Sequence, residues 1–119
     1  QVLSNLDSTE MTILMKRSTA VIGLAHGEAF GLTPIESMAL GAPPVFVDEG
    51  GYRDTIVDGV NGRLVARGDF DDWRKALIQA RDPDTRARWA ESGLSRIVEL
   101  GLSSENYASQ LDERLRSLL

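Results

Sequence analysis

The hydrophobic positions of this chain follow two alternating patterns, one typical of strands and one typical of helices. Short apolar runs, one of them led in by an Asn-Gly turn, predict strands at 19–24, 44–47 and 63–65. Apolar residues three and four positions apart, with capping-type residues before them, predict helices at 9–17, 33–40 and 52–57. Strands that alternate with helices in this way predict an α/β fold with three layers, α/β/α, around a parallel sheet of about three strands.

The remainder of the chain, after Gly68, has the pattern of consecutive helices. Asp69 is the predicted cap of a helix whose apolar positions are Phe70, Trp73, Leu77 and Ala80. Asp82-Pro83 begins a second helix that ends at Gly101, with an apolar face of Ala87, Ala90, Leu94, Ile97 and Val98. Ser103 caps a last helix with the apolar positions Tyr107, Leu111, Leu115 and Leu118.

Composition narrows the class of protein. The 119 residues make one domain at most, and the hydrophobic fraction of 42% with a charged fraction of 26% is typical of globular chains. A net charge of −5 argues against a nucleic-acid partner, and Arg86, Arg88 and Arg96 are expected to form a solvated helix face. No cysteine is present, which excludes disulfides and favours a cytoplasmic location. No apolar run approaches the roughly 20 residues of a transmembrane segment.

The strongest chemical signal is a pair of glutamates in Glu28-Ala-Phe-Gly-Leu-Thr-Pro-Ile-Glu36, between a predicted strand and a predicted helix. The first N–H groups of a helix favour phosphates, and carboxylates accept hydrogen bonds from sugar hydroxyls. This arrangement suits a nucleotide sugar. The alternative is structural: Thr33 as N-cap, Pro34 at N1 and Glu36 at N3 form a capping box, which needs no ligand.

The order of motifs around these glutamates is more specific than the pair itself. They are followed by Ser37-Met-Ala-Leu-Gly-Ala-Pro43, by Val45-Phe-Val47, by Gly50-Gly51, and by Ile56-Val-Asp-Gly-Val-Asn-Gly-Arg-Leu-Val65. This string resembles the C-terminal, nucleotide-sugar-binding part of the retaining GT-B glycosyltransferases, group 1 or family 4 type. The resemblance implies that 1–119 is a single, partial Rossmann-like donor-binding domain. The acceptor-binding N-terminal domain and the first half of the C-terminal domain would then be absent.

The resemblance also implies a function for each motif. The chain would be the donor side of a hexosyltransferase that moves a sugar from a nucleoside-diphosphate sugar to an acceptor hydroxyl. Glu28 would be the catalytic residue and would hold the sugar, Glu36 the ribose, and backbone amides the diphosphate. The implied donor-binding residues are Glu28, Ala29, Phe30, Gly31, Leu32, Thr33, Glu36, Gly50 and Gly51. No cofactor and no metal are expected, since GT-B enzymes as a family do not require one.

Departures from the family pattern leave a second hypothesis open. Leu24-Ala25 stands where Pro-Ser is frequent, and Asp54 where a glutamate is usual. The missing half would have supplied a basic residue for the diphosphate. The chain could therefore be a non-catalytic nucleotide-sugar-binding or assembly module, and by itself we expect it to be inactive. The strand at 19–24 would lie at the sheet edge, where it would pair with the missing half or with a second copy of the chain.

Three other sequence features are candidates for sites. Asp69-Phe-Asp71 has the letters of a D-x-D metal motif, but acidic residues are also typical of a helix start, and we favour the helix start. His26 lies at the carboxyl end of a predicted strand, and a role in a pocket and a role in the loop are equally compatible with its position. Trp73 and Trp89 are predicted to pack in the core.

Overall fold

A computed structural model of the chain describes residues 1–102. Its helices are α1 (Ser8–Arg17), α2 (Leu32–Ala39), α3 (Tyr52–Thr55), α4 (Phe70–Arg81) and α5 (Pro83–Glu99). Its strands are β1 (Val21–Gly23), β2 (Pro44–Val47) and β3 (Arg63–Val65). The predicted strands 44–47 and 63–65 are therefore confirmed to the residue. The predicted helix after Ser103 lies outside the described residues.

The three strands form one parallel sheet in the order β1-β2-β3. Ile22 pairs with Val45, which in turn pairs with Arg63 on the other side. The predicted α/β fold and the predicted edge position of β1 within residues 1–102 are confirmed. The expectation that 19–24 is a buried strand is wrong, because only 21–23 pair and the edge leaves Ile22 50% exposed and Leu24 51% exposed. Pairing with another chain through this edge stays a prediction.

Two hydrophobic clusters pack against the sheet, and together they cover both faces of its central strand. Phe46 of β2 belongs to the cluster that contains Ile35 of α2 and Tyr52 of α3. Its neighbour Val45 belongs to the other cluster, with Ala76 of α4. Successive side chains of a strand point to opposite faces, so β2 is covered on both sides. The central strand is thus fully buried, which explains why its sequence is continuously apolar.

The predicted apolar face of α5 is confirmed for Ile97, which packs against the core, and is wrong for Leu94 and Val98. The buried residues are Trp89 and Gly93, whereas Leu94 is 55% exposed and Val98 is 75% exposed. A Cβ on Gly93 would lie 3.0 Å from Cβ of Met38, so the glycine allows α5 to pack closely on α2. The periodicity could not reveal this face, because its central residue has no side chain.

The expectation that the α5 arginines form a solvated face is also wrong for two of them. Arg86 donates to the carbonyl oxygens of Thr19 at 2.6 Å and Ser18 at 2.8 Å, just before β1. Arg96 donates to the carbonyl oxygen of Asp54 in α3 at 2.7 Å. Their side chains thereby link α5 to parts of the chain that precede it by 42 to 68 residues.

Candidate functional site

The candidate site lies at the carboxyl ends of the three parallel strands. The loop 24–31 follows β1, the loop 48–51 follows β2, and the turn 66–69 follows β3. Because the strands are parallel, these three loops meet at one edge of the sheet. Ligands bind at this edge in open α/β sheets. All the implied donor-binding residues lie in the first two loops or in α2.

The two glycines after β2 bring the loops 24–31 and 48–51 into backbone contact. The N–H of Gly51 donates to the carbonyl oxygen of Glu28 at 2.6 Å. A Cβ on Gly50 would lie 2.7 Å from that oxygen, and a Cβ on Gly51 would lie 2.5 Å from the carbonyl of Ala29. Gly50 also has a φ of +54°, which favours glycine. The glycines are therefore required where the loops touch, and a close approach to a donor stays a prediction.

Helix α2 begins earlier than the sequence predicts. Its N-cap is Gly31, with no side-chain cap hydrogen bond, so the predicted capping box of Thr33 and Glu36 is wrong. Gly31 packs closely under the ring of Tyr52, where a Cβ would lie 2.8 Å from Cδ1 of that ring. Glu36 is the fifth residue of the helix and is half-buried.

Glu36 faces a groove between α1 and α2. The groove has a volume of about 220 Å³, and its apolar lining residues include Met11, Met15 and Leu40. Thr12 and Ser8 contribute hydroxyl groups. A half-buried carboxylate at the side of an apolar groove is a chemically suitable place for a group that has a flat apolar part and a hydroxylated part.

The charges of Glu28 and Arg67 both influence the phenol of Tyr52. Its ring packs edge-on against Phe46, with 4.8 Å between the ring centroids. The pKa of Tyr52 is raised by burial and then by the nearby charge of Glu28, whereas Arg67 acts in the opposite direction. The ionisation of the phenol therefore depends on the charges of both Glu28 and Arg67.

Arg67 forms a polar cluster with Glu49 and His26 that the sequence analysis missed. Its Nε and Nη2 donate to the two carboxylate oxygens of Glu49 at 2.9 and 3.0 Å. Its Nη1 donates to the carbonyl oxygen of Leu24 at 2.9 Å. Nδ1 of His26 lies 3.2 Å from Nη2 of Arg67 and 3.2 Å from Oε1 of Glu49. His26 thus has a structural role in the loop, and a role in a pocket stays open.

The charge of this cluster is balanced. The hydrogen bonds from Arg67 hold the pKa of Glu49 below its usual value, with a further contribution from the charge of Arg67 and from His26. The signal that could have identified the cluster is positional: Glu49 and Arg67 each lie two residues after the end of a parallel strand. Charged residues at equivalent positions after neighbouring strands are close in space.

The other candidate features have structural roles. Asp69 caps α4, where its side chain accepts from the N–H of Asp72 at 3.0 Å, so the favoured interpretation of Asp69-Phe-Asp71 as a helix start is confirmed. Trp89 is buried, and Nε1 of Trp73 donates to the carbonyl oxygen of Ala66, as expected for packing residues. Residues 1–102 contain no group of three metal-ligating side chains close enough to hold a metal ion. None of the helices described is long and apolar enough to cross a membrane.

Comparison with protein families and curated proteins gives consistent matches. The family model described as glycosyl transferases group 1 matches residues 1–96. A D-inositol 3-phosphate glycosyltransferase of Frankia alni is 35% identical over 96 residues, 80% of this chain and 24% of that protein. A lipopolysaccharide core biosynthesis mannosyltransferase of Rhizobium leguminosarum bv. viciae is 32% identical over 111 residues, 92% of this chain and 31% of that protein. The chain therefore matches only 24% to 31% of the length of these relatives.

Solved structures with the same fold include two carbohydrate-related complexes. Anabaena HepE, in complex with UDP-glucose, matches with a TM-score of 0.67 and 25% identity over 87% of this chain and 29% of its own. A mutant of S. aureus TarM, in complex with fondaparinux, alpha-GlcNAc-glycerol and UDP, matches with a TM-score of 0.66 and 24% identity. That match covers 88% of this chain and 21% of TarM. Both confirm the fold described above.

Proposed function

Because the chain belongs to the family of group 1 glycosyl transferases, we propose that it forms the donor side of a retaining glycosyltransferase. The reaction would transfer a sugar from a nucleoside-diphosphate sugar to an acceptor hydroxyl. The UDP-glucose bound to HepE supports a nucleotide sugar as the donor, since HepE shares this fold at 25% identity.

The observation that carries this proposal is the anchored position of Glu28. Its carbonyl oxygen is held by the Gly51 N–H at the carboxyl edge of the sheet, three residues before Gly31, the N-cap of α2. Glu28 would hold hydroxyls of the donor sugar. Phe30, Gly31 and Leu32 would direct backbone amides to the diphosphate, together with the positive end of the α2 dipole.

Glu36 and its groove would take the nucleoside. The carboxylate would accept hydrogen bonds from the ribose hydroxyls, and the apolar sides supplied by Met11 and Met15 would cover the base. This arrangement would place the nucleoside beyond the helix start and the sugar next to Glu28. The diphosphate would then extend along the beginning of α2, between Thr33 and Gly31.

The proposed chemistry needs positioning and charge stabilisation rather than a protein nucleophile. The bond between the anomeric carbon and the diphosphate oxygen breaks, and a bond to the acceptor oxygen forms on the same face. The acceptor proton passes to the departing phosphate. Aligned hydrogen-bond donors would stabilise the charge that develops on the nucleoside diphosphate. We propose that no metal ion takes part.

A second candidate is a non-catalytic module that binds nucleotide sugars. The observation that favours it concerns the guanidinium placed among the site loops: Arg67 is paired with Glu49 on both of its carboxylate oxygens. A cation neutralised in this way is a poor ligand for a diphosphate. The two candidates share donor binding and differ in turnover.

Calorimetric titration of the chain with UDP-glucose, GDP-mannose and ADP-glucose tests the shared part. We expect one nucleotide class to bind with a Kd below about 1 mM, and Glu36→Ala to weaken that binding by about 1.5–3 kcal/mol. Glu91→Gln, which removes an exposed carboxylate of α5, is the matched control and should bind normally. Absence of heat with all three donors would contradict the proposal. Release of the free nucleotide in the presence of an acceptor would separate the enzyme from the binding module.

A further inference from the structure

We propose that Arg67 is a positioning residue for Glu28: it fixes the loop that carries this glutamate and touches neither the sugar nor the phosphates. The inference rests on the proposed sugar transfer, because it assigns Arg67 a role in the sugar half of that same site. Three features of the structure support it: the contacts of the guanidinium, the short span of the loop, and the small number of N–H donors that remain for a ligand.

The guanidinium of Arg67 connects the ends of all three strands. Arg67 itself lies two residues after β3, Glu49 two residues after β2, and Leu24 directly after β1. The bidentate pair with Glu49 fixes the plane of the guanidinium, because both N–H···O distances are near 3 Å. That fixed plane then holds the carbonyl oxygen of Leu24 at 2.9 Å.

The loop before Glu28 is thereby anchored at both ends to the same neighbour. Its first residue, Leu24, is tied through Arg67 to Glu49, and Glu28 is tied directly to Gly51. Only residues 25–27 lie between the two anchors. A segment this short transmits a displacement of one end to the other, so release of Leu24 should shift Glu28.

The hydrogen-bonding groups of Arg67 leave little for a ligand. An arginine has five N–H donors. Glu49 takes two of them, Leu24 takes one, and Nδ1 of His26 lies 3.2 Å from Nη2. The positive charge is balanced by the carboxylate of Glu49. The side chain is therefore suited to hold protein groups in place and is not suited to bind a diphosphate.

The chain offers a matched control for this residue. Arg53 also pairs with a carboxylate of the loop 48–51: its Nε donates to Oδ1 of Asp48 at 2.7 Å, and its Nη2 donates to the carbonyl oxygen of Asp48 at 2.7 Å. These contacts do not reach the loop after β1. Arg53→Met thus removes an arginine and an ion pair from the same loop without releasing Leu24.

The test compares affinity for a nucleotide sugar with affinity for its free nucleotide, for the pair that the unaltered chain binds: UDP-glucose with UDP, GDP-mannose with GDP, or ADP-glucose with ADP. We expect Arg67→Met to reduce the advantage of the sugar-bearing ligand by about 10-fold, since a displacement of about 1 Å in a site can cost up to 100-fold. Affinity for the free nucleotide should change less than about twofold. A change of about 1.4 kcal/mol in binding free energy would alter that affinity tenfold. Arg53→Met should behave as the unaltered chain.

Arg67→Lys provides the second variant, because it keeps the charge and loses the bidentate geometry. We expect an intermediate loss of the sugar advantage with an unchanged melting temperature. An unchanged ratio in both Arg67 variants would overturn the inference and leave the proposed function intact. An equal loss for sugar-bearing and free nucleotide would also overturn it, because a purely structural role would affect both. Failure of the unaltered chain to bind any of the three donors would contradict the proposed function itself.

Discussion

Two arginines near β3 use the same chemistry in two different regions of the molecule. Arg63, at the start of the strand, donates to both oxygens of Asp72 at 2.8 and 2.9 Å, to Asp58 at 2.8 Å and to Gln79 at 2.6 Å. Its side chain is 11% exposed, and it joins β3 to α4. Arg67, beyond the end of the strand, is 36% exposed.

The difference lies in what each guanidinium holds. The partners of Arg63 include two residues of a regular helix, so its contacts join elements that the backbone already makes rigid. The partners of Arg67 lie in loops after β1 and β2, whose backbone has no repeating hydrogen bonds of its own. The contacts of Arg63 therefore support the stability of the fold, whereas those of Arg67 support the shape of the candidate site.

The largest effect is expected at Glu28, the residue that Arg67 is proposed to position. Glu28→Gln keeps the shape of the side chain and removes its charge. In a polypeptide that contains this chain and is active in sugar transfer, we expect turnover to fall about 100-fold, as when one transition-state contact is lost. Nucleotide affinity should change little. Steady-state kinetics with a parallel titration of free nucleotide measures both, and equal losses in the two would argue against a sugar contact.

Arg63→Met should weaken the contact between β3 and α4 without affecting the loops that Arg67 contacts. We expect the free energy of unfolding to fall by about 2–3 kcal/mol, because two carboxylates and an amide lose a charged donor. Urea unfolding of the unaltered and altered chains provides this measurement. Arg67→Met should cost less than about 1 kcal/mol, as is usual for more exposed pairs. A larger loss of stability for Arg67→Met than for Arg63→Met would reverse the comparison.

Glu36→Ala tests the nucleoside end of the proposed site, in which neither Arg63 nor Arg67 takes part. Loss of a charged acceptor for the ribose should weaken nucleotide binding by about 1.5–3 kcal/mol. Calorimetry with the free nucleotide checks this value, and Glu91→Gln serves again as the control. Were nucleotide affinity unchanged while the melting temperature fell, Glu36 would have only a structural role, and its assignment to the donor site would be wrong.

The smallest effect concerns the acid range. The pKa of Glu49 lies below its usual value of 4.5, chiefly because of its hydrogen bonds with Arg67. A carboxyl group with a lowered pKa contributes stability above pH 4.5, and this contribution disappears as the pH falls through the lowered pKa. An NMR titration of the Glu49 side chain should therefore show a midpoint under 4.5 that rises in Arg67→Met. A midpoint unaffected by Arg67→Met would show that the pair does not form in solution.

Local patterns explain which elements the sequence could predict. Strand β2 is buried on both faces, so its continuous apolar run indicated its bounds, and Asp69 identified the start of α4 through a cap made within four residues. The start of α2 and the buried face of α5 could not be predicted in this way. Each lies at a glycine that packs closely against a side chain distant in sequence: Gly31 against Tyr52, and Gly93 against Met38.

In the candidate site, too, the features that depend on local sequence could be predicted and those that depend on tertiary contacts could not. The motif that contains Glu28 and Glu36 was visible because it is continuous in sequence. The Arg67 cluster was not visible, because Arg67 is 18 residues from Glu49 and 43 residues from Leu24. Only the parallel register of the strands brings these groups together. Charged residues just after each predicted parallel strand are the sequence feature that indicates the Glu49–Arg67 pair.

The most direct test of this account is a crossed measurement on Arg63→Met and Arg67→Met. For each variant, the free energy of unfolding is measured alongside the ratio of affinities for the nucleotide sugar and its free nucleotide. We expect Arg63→Met to lower the free energy of unfolding and to leave the affinity ratio unchanged. We expect Arg67→Met to lower the affinity ratio and to leave the free energy of unfolding within about 1 kcal/mol of the unaltered chain. If the two variants changed stability and the affinity ratio in the same proportion, the arginines would have one common role, and the account would be contradicted.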